Sequence, residues 1–332
     1  MKMPKATSSP WNSKRIVGLC IITGLFISAI EIRDIRLNRQ AERARRMHAQ
    51  IDVFDQTKSW RGFEDICYSG YCGPWLEEFY MKHFEDTYGE SGHGGRIFLP
   101  VGWTNCHLKC SDSQRKELQS FVNSLDRSLP YFTVVQIARG LGHHELNITI
   151  PEDLDLLLFS AGGRTNCGKC RNVDIPLLKT VLEPYEGHKN ILASFIGTIV
   201  NHPIRGDLEK KYRDSMLFLG GHDRWREIMG RSFFSLAPRG FGVTSFRLFE
   251  SIQIGSVPVY VYSEYAMLPY PDRISWENLA VMVNESEISN GRLLKKMLDA
   301  DVDKMLDYGK QVRHMFTYNY TSSYIDEMVQ VM

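Results

Sequence analysis

The run at residues 233–262, FFSLAPRGFGVTSFRLFESIQIGSVPVYVY, constrains this chain more than any other stretch of it. Residues 232–237 are largely apolar and aromatic, the pattern of a strand buried on both faces. The loop Pro238-Arg239-Gly240-Phe241-Gly242 follows, then a helical pattern over 245–254 and a second strand over 257–262. Strand, loop, helix and strand in so short a span make a βαβ unit, which commits the chain to a parallel sheet. Its chemistry is equally directed. Glycine lets backbone approach a ligand closely, and a helix N-terminus offers unpaired N–H groups and a positive dipole end to a phosphate. Arg239 lies in the loop, Ser245 opens the helix and Arg247 occupies its first turn. Glu250, one turn on, is a carboxylate able to accept from hydroxyls. Together they form a cradle for a diphosphate. Two plainer readings stand beside this one: a tight turn at the glycines, and a helix salt bridge between Arg247 and Glu250 at i,i+3.

The rest of the chain repeats the α/β pattern. Residues 76–88 and 113–125 have helical spacing, the second helix taken as capped by Ser113. Residues 96–103, 131–137 and 154–159 read as strands, the last two running into the glycine-containing turns ARGLGHH and SAGGRTNCG. Further on, 190–199 and 279–283 read as strands, and 206–215, 225–230, 286–299 and 301–316 as helices. Ligands of α/β sheets collect at C-terminal strand ends. The division is an N-terminal α/β domain at 60–187 and a C-terminal α/β domain at 188–332, facing each other across a cleft.

Before them stands an uncharged run, IVGLCIITGLFISAI at residues 16–30, preceded by Lys14-Arg15. It is read as a signal-anchor helix over 16–32, after a cytosolic tail at 1–15 and before a polar stem at 33–59. The run is somewhat short for a bilayer, a gap that snorkelling by Arg15 can close. The first fifty residues hold ten Lys/Arg against three Asp/Glu, which leaves the remainder net acidic by six. That balance excludes a nucleic-acid coat, which needs clustered basic residues. Sequons at Asn147, Asn284 and Asn319, and cysteines in three close pairs (Cys67/Cys72, Cys106/Cys110, Cys167/Cys170), suit an oxidising lumen. The spacing leaves the disulfide pairing open, and a four-sulfur zinc site from the last two pairs is the alternative.

The run from Pro238 to Pro258, with Leu268-Pro269-Tyr270, Ile274-Ser275-Trp276 and the upstream Ser194-Phe195-Ile196-Gly197 and Pro203-Ile204-Arg205, resembles the donor-binding half of the exostosin family of glycosyltransferases. The resemblance implies a GT-B fold of two facing Rossmann-like domains. It also implies an inverting, metal-independent transfer from a nucleotide-sugar, a UDP-sugar foremost, to a glycan or glycoprotein, by a Golgi enzyme with one N-terminal anchor. Carried over by position, Glu250 holds the donor ribose. Arg239, Gly240, Ser245 and Arg247 line the diphosphate and neighbouring sugar, and Arg205 reaches the phosphates. Ser256, Thr244 and Glu264 depart from the family pattern, in which Cys, Asp and Asp are usual. An inverting transfer needs a proton acceptor. His144 and His143, after a Gly-x-Gly turn, are the first candidates, with Glu145, Asp153 and Arg164 nearby. A catalytically inactive scaffold for a partner glycosyltransferase is the alternative function, and homo- or hetero-oligomers are open under either. The pair Asp153-Leu154-Asp155 is the alternative that would call for a divalent metal.

Overall fold

The computed structural model describes residues 11–62, 66–67, 71–142, 146–221 and 223–332, with side chains from residue 32 onward. The first lobe comprises α1 (Trp11–Gln56), α2 (Leu76–Tyr88), β1 (Ile97–Phe98), α3 (Trp103–Lys109), α4 (Asp112–Ser124), β2 (Tyr131–Val135), β3 (Leu156–Ser160) and β4 (Arg171–Asp174). Its strands form one parallel sheet in the order β1-β2-β3-β4. The second lobe runs through β5 (Ile191–Ile196), α5 (Pro203–Tyr212), β6 (Leu217–Leu219), α6 (Trp225–Arg231), β7 (Ser232–Pro238), α7 (Phe246–Ile254), β8 (Val257–Tyr262), β9 (Val281–Asn284), α8 (Arg292–Leu298), α9 (Val302–Val312) and α10 (Tyr318–Val331). Its sheet is also wholly parallel, in the order β6-β5-β7-β8-β9. Two facing α/β lobes are the GT-B-like arrangement that the resemblance implies.

Local chemistry explains where elements begin and stop. The strand expected over 96–103 pairs only at Ile97 and Phe98. Pro100 has no N–H for a ladder, and the chain turns into α3 instead. The helix expected from Ser113 starts earlier: Ser111 is its cap, accepting from Gln114 N at 3.3 Å while the Gln114 side chain accepts from Ser111 N at 2.9 Å. This reciprocal box places the entry two residues upstream. The stretch read as a stem feeds the first lobe with Gln50, Val53 and Phe54, all buried. Gln50 bonds both backbone groups of Phe98, at 2.9 and 2.7 Å. The apolar run at 16–30 lies in the part of α1 whose side chains fall outside the described residues, as do residues 1–10 altogether. Among the described residues no helix is long and apolar enough to cross a membrane.

The helix α10 lies beyond the last helix expected from the pattern, and it returns to the first lobe. Tyr80 and His83 of α2 contact the Asp326 carboxylate at 2.8 and 2.7 Å, and Tyr318 Oη donates to Pro74 O at 3.0 Å. One apolar cluster therefore includes Leu76 and Phe132 with Phe249, Tyr270 and Ile325. The cysteines pair locally, Cys67–Cys72, Cys106–Cys110 and Cys167–Cys170. That pairing replaces the four-sulfur zinc alternative.

Candidate active site

In the second sheet the chain winds outward from β5 to β6, then crosses back past β5 to β7. The reversal between β5 and β7 is a topological switch point, where a crevice opens outside the carboxyl ends of the strands. Arg205, from the first turn of α5, fills that crevice. Its guanidinium donates to Thr198 O beyond β5 at 2.7 Å, and to Arg239 O and Pro238 O at the end of β7 at 2.9 and 3.2 Å. The side chain is buried and pairs with no carboxylate among the described residues. Burial, with the charge of Arg247 adding to it, pulls its pKa down to about 10. Among the described residues its hydrogen bonds go only to carbonyl oxygens, which leaves its charge without a counter-charge there.

The loop after β7 is shaped by the same backbone. Gly240 N donates to Thr244 O at 3.1 Å and Arg239 Nε to Gly242 O at 3.1 Å. A Cβ on Gly240 would meet the Arg205 guanidinium at 3.3 Å, so glycine keeps the loop close to the cation. Ser245 caps α7, its hydroxyl accepting from Arg247 N at 3.3 Å. Arg205, Gly240 and Ser245 all line one cavity of about 470 Å³. Arg239 is buried in the loop beneath it.

Arg247 and Glu250 stand apart from that lining. They form an ion pair along α7, as the i,i+3 spacing allows. The pair is not on a solvated face, because Glu250 is 5% exposed. Arg247 Nε donates to Ile196 O at the end of β5 at 2.7 Å, and its guanidinium lies 4.5 Å from the Trp225 ring centroid. The structure thus places the pair on the β5 side of the switch point, next to Arg205 rather than in the open cavity. Ser256, where the family has a cysteine, is buried and donates to Met229 O and Ser232 O at 2.6 and 2.9 Å.

The other wall of the cavity comes from the first lobe. Thr104 and His107 of α3, Gln136 and Arg139 after β2, and Gly162 after β3 line it. The walls touch below: Val243 N donates to Gly162 O at 3.2 Å, and a Cβ on Gly242 would stand 2.5 Å from that oxygen. His143, His144 and Glu145 lie outside the described residues. Two other sequence candidates are displaced. Asp153 and Asp155 sit at the amino end of β3, opposite the cleft, paired with Arg127 at 3.2 Å and Arg96 at 3.0 Å. Arg164 binds Asp174 at 2.7 Å and stacks on Tyr265 of the second lobe, 4.8 Å to the centroid.

Sequence reasoning missed the carboxylate nearest the cavity. Glu77, on the first turn of α2, is 2% exposed and accepts from Thr104 N at 2.8 Å, Thr104 Oγ1 at 2.9 Å and Gln136 N at 2.6 Å. Burial pushes its pKa up to about 7 despite those three donors, and the neighbouring Glu78 adds to the rise. In the sequence Glu77 and Glu78 read only as ordinary first-turn acids of a helix.

A two-lobed α/β protein with a buried guanidinium in the crevice at the switch point of its second lobe has the build of a glycosyltransferase. The chain belongs to the exostosin GT47 family, whose domain matches residues 117–299. Over 174 residues it is 29% identical to a probable glucuronosyltransferase of Oryza sativa subsp. japonica, covering 45% of this chain and 40% of that protein. Over 68 residues it is 40% identical to the Exostosin-1 homolog of Caenorhabditis elegans, 20% of this chain and 18% of that one. The matches thus span less than half of either relative. Among solved structures, the pneumococcal O-GlcNAc transferase GtfA in complex with UDP and GlcNAc aligns with 65% of this chain and 60% of its own, at a TM-score of 0.35 and 11% identity.

Proposed function

We propose that this chain is an inverting glycosyltransferase that moves a sugar from a nucleotide-sugar, a UDP-sugar first among them, to a glycan or glycoprotein. The observation that carries this is Arg205, a buried cation with no carboxylate partner among the described residues, held at the switch point where a diphosphate would sit. Arg239 and Gly240 shape the loop around it, and the α7 N-terminus at Ser245 faces the same cavity. In this reading Arg247 and Glu250 take the nucleoside side, Glu250 accepting from ribose hydroxyls. Guanidinium groups stabilise the charge on the departing diphosphate, a task other transferases give to a metal ion. The names of the relatives, glucuronosyltransferases among them, make UDP-glucuronic acid the first donor to try.

The reading also includes a Golgi membrane protein, anchored through residues 16–32 with the lobes in the lumen. The local disulfides support an oxidising compartment. Asn147 and Asn319 are exposed, whereas the Asn284 side chain bonds Ser263 O and Ser286. Purified protein should bind UDP and turn over at least one UDP-sugar, with chelator leaving turnover intact. Neither binding nor turnover across UDP-, GDP- and CMP-sugars would defeat the enzyme reading, and full-length protein recovered soluble and unglycosylated from cytosol would defeat the topology.

A further inference from the structure

Glu77 is a buried carboxylate with no basic partner among the described residues, placed directly behind the first-lobe wall of the cavity. It cannot meet a substrate itself, because it is 2% exposed and both oxygens already accept hydrogen bonds. Thr104 can. It lines the cavity, and its hydroxyl gives its proton to Glu77 Oε1 at 2.9 Å. A hydroxyl that donates inward keeps its oxygen lone pairs for an incoming donor. Gln136 is set by the same carboxylate through its backbone N–H. Its side-chain Oε1 is taken by Leu76 N at 2.8 Å, while Nε2 has no partner among the described residues and the side chain borders the cavity. Of the two, the Thr104 hydroxyl oxygen is the one left ready to accept at the cavity, because Gln136 Nε2 is buried. An oxygen with free lone pairs is the complement of a sugar hydroxyl.

We infer that Thr104 is the catalytic group that takes the acceptor hydroxyl's proton, and that Glu77 is the positioning residue behind it that receives the proton Thr104 releases. This rests on the glycosyltransferase reading. In the step, the acceptor oxygen bonds to the anomeric carbon of the donor sugar. The bond from that carbon to the diphosphate breaks, and its electron pair leaves with the nucleotide. The acceptor's proton passes to Thr104 Oγ1 as the Thr104 proton passes to Glu77. No oxidant or metal enters the balance. Among the described residues, the other ionisable groups around this pair are Glu78 on α2, and His107 and Arg139 on the cavity wall.

The test uses hydrolysis of UDP-glucuronic acid, UDP-xylose, UDP-galactose and UDP-N-acetylglucosamine, with water in the acceptor's place. Thr104→Val keeps the shape and removes the oxygen; Thr104→Ser restores it. A positioned base is worth roughly a hundredfold or more in rate. Thr104→Val should therefore lose at least that in kcat with UDP affinity within about twofold of the parent, and Thr104→Ser should recover to within about tenfold. The parent's kcat should rise with pH through about 7, the range in which Glu77 ionises. That limb should be absent from Glu77→Gln and from the residual activity of Thr104→Val. Should Glu77→Gln fail to fold, the Val and Ser variants at Thr104 decide alone. A Thr104→Val protein that hydrolyses like the parent, or a parent whose rate has no such limb, overturns the inference and leaves the donor site standing. A parent that binds and hydrolyses none of the four overturns the glycosyltransferase reading and this inference with it.

Discussion

Replacing Arg205 by methionine asks whether the switch-point cation is there for an anion. The side chains are similar in length and both pack, so the change removes charge and three donated hydrogen bonds to Thr198, Pro238 and Arg239 carbonyls while leaving little void. Two effects on folding oppose each other. Orphaned carbonyls cost about 1–3 kcal/mol each where they stay dry, and removing a buried unpaired charge returns several kcal/mol. The melting temperature without ligand should therefore move by only a few degrees. Nucleotide binding has no such offset. A charged hydrogen bond to phosphate contributes about 1.5–3 kcal/mol, which is tenfold to more than a hundredfold in Kd. Titration calorimetry with UDP at fixed salt, alongside thermal unfolding of both proteins, reads the two quantities separately. UDP affinity equal in Arg205→Met and the parent would show that the guanidinium only staples β5 to β7, and would remove the observation on which the donor site rests.

Two further outcomes follow from the buried carboxylates. Glu250→Gln leaves Arg247 its bonds to Ile196 O and Trp225 but takes away its ion-pair partner, so the unliganded melting temperature should fall, and UDP affinity should drop about tenfold to a hundredfold if ribose hydroxyls are held there; a lowered melting temperature with unchanged affinity would make the pair purely structural. Glu77 sets a pH dependence of folding: its folded pKa, about 7, lies above the ordinary 4.5, so its stabilisation is complete below 4.5 and is lost as pH rises through 7. The interval is worth about 3 kcal/mol at 1.36 kcal/mol per pH unit, and Glu77→Gln should flatten that slope in urea melts taken from pH 4 to pH 8.

The two walls of the cavity differ in how legible they are. The second-lobe wall is nearly contiguous: Gly240, Thr244 and Ser245 line it from inside one βαβ unit, which also carries Arg239, Arg247 and Glu250. Arg205 comes from outside it, and it too follows the C-terminal end of a strand. On the acceptor wall, Glu77 meets Thr104 across 27 positions and Gln136 N across 59. Each residue alone is ordinary: a helix-start glutamate, a threonine, a glutamine after a strand. Only the docking of α2 against the ends of the first sheet brings them together, and that is a long-range event without a local signature. The same holds for α10, whose Asp326 accepts from Tyr80 of α2 and whose Tyr318 donates to Pro74 O. Asp153 and Asp155 erred the other way, since a pair of carboxylates beside a strand is conspicuous whichever end of the strand it occupies.

The polypeptide passes between the lobes twice, once forward after β4 and once back before α10, and both passages run through one spot. Tyr318 Oη lies 3.5 Å from Leu178 O of the forward passage and 3.0 Å from Pro74 O of the first lobe. Leu177, beside it, borders the cavity. Mechanically this is a rivet through three layers: one phenol fastens both passages to the first lobe, and a slide of one lobe past the other would tear it from its partners. A second line of fastening runs where Val243 N donates to Gly162 O and Arg164 N to Tyr265 Oη. Held along both lines, the Thr104 wall and the Arg205 wall stand at a fixed spacing.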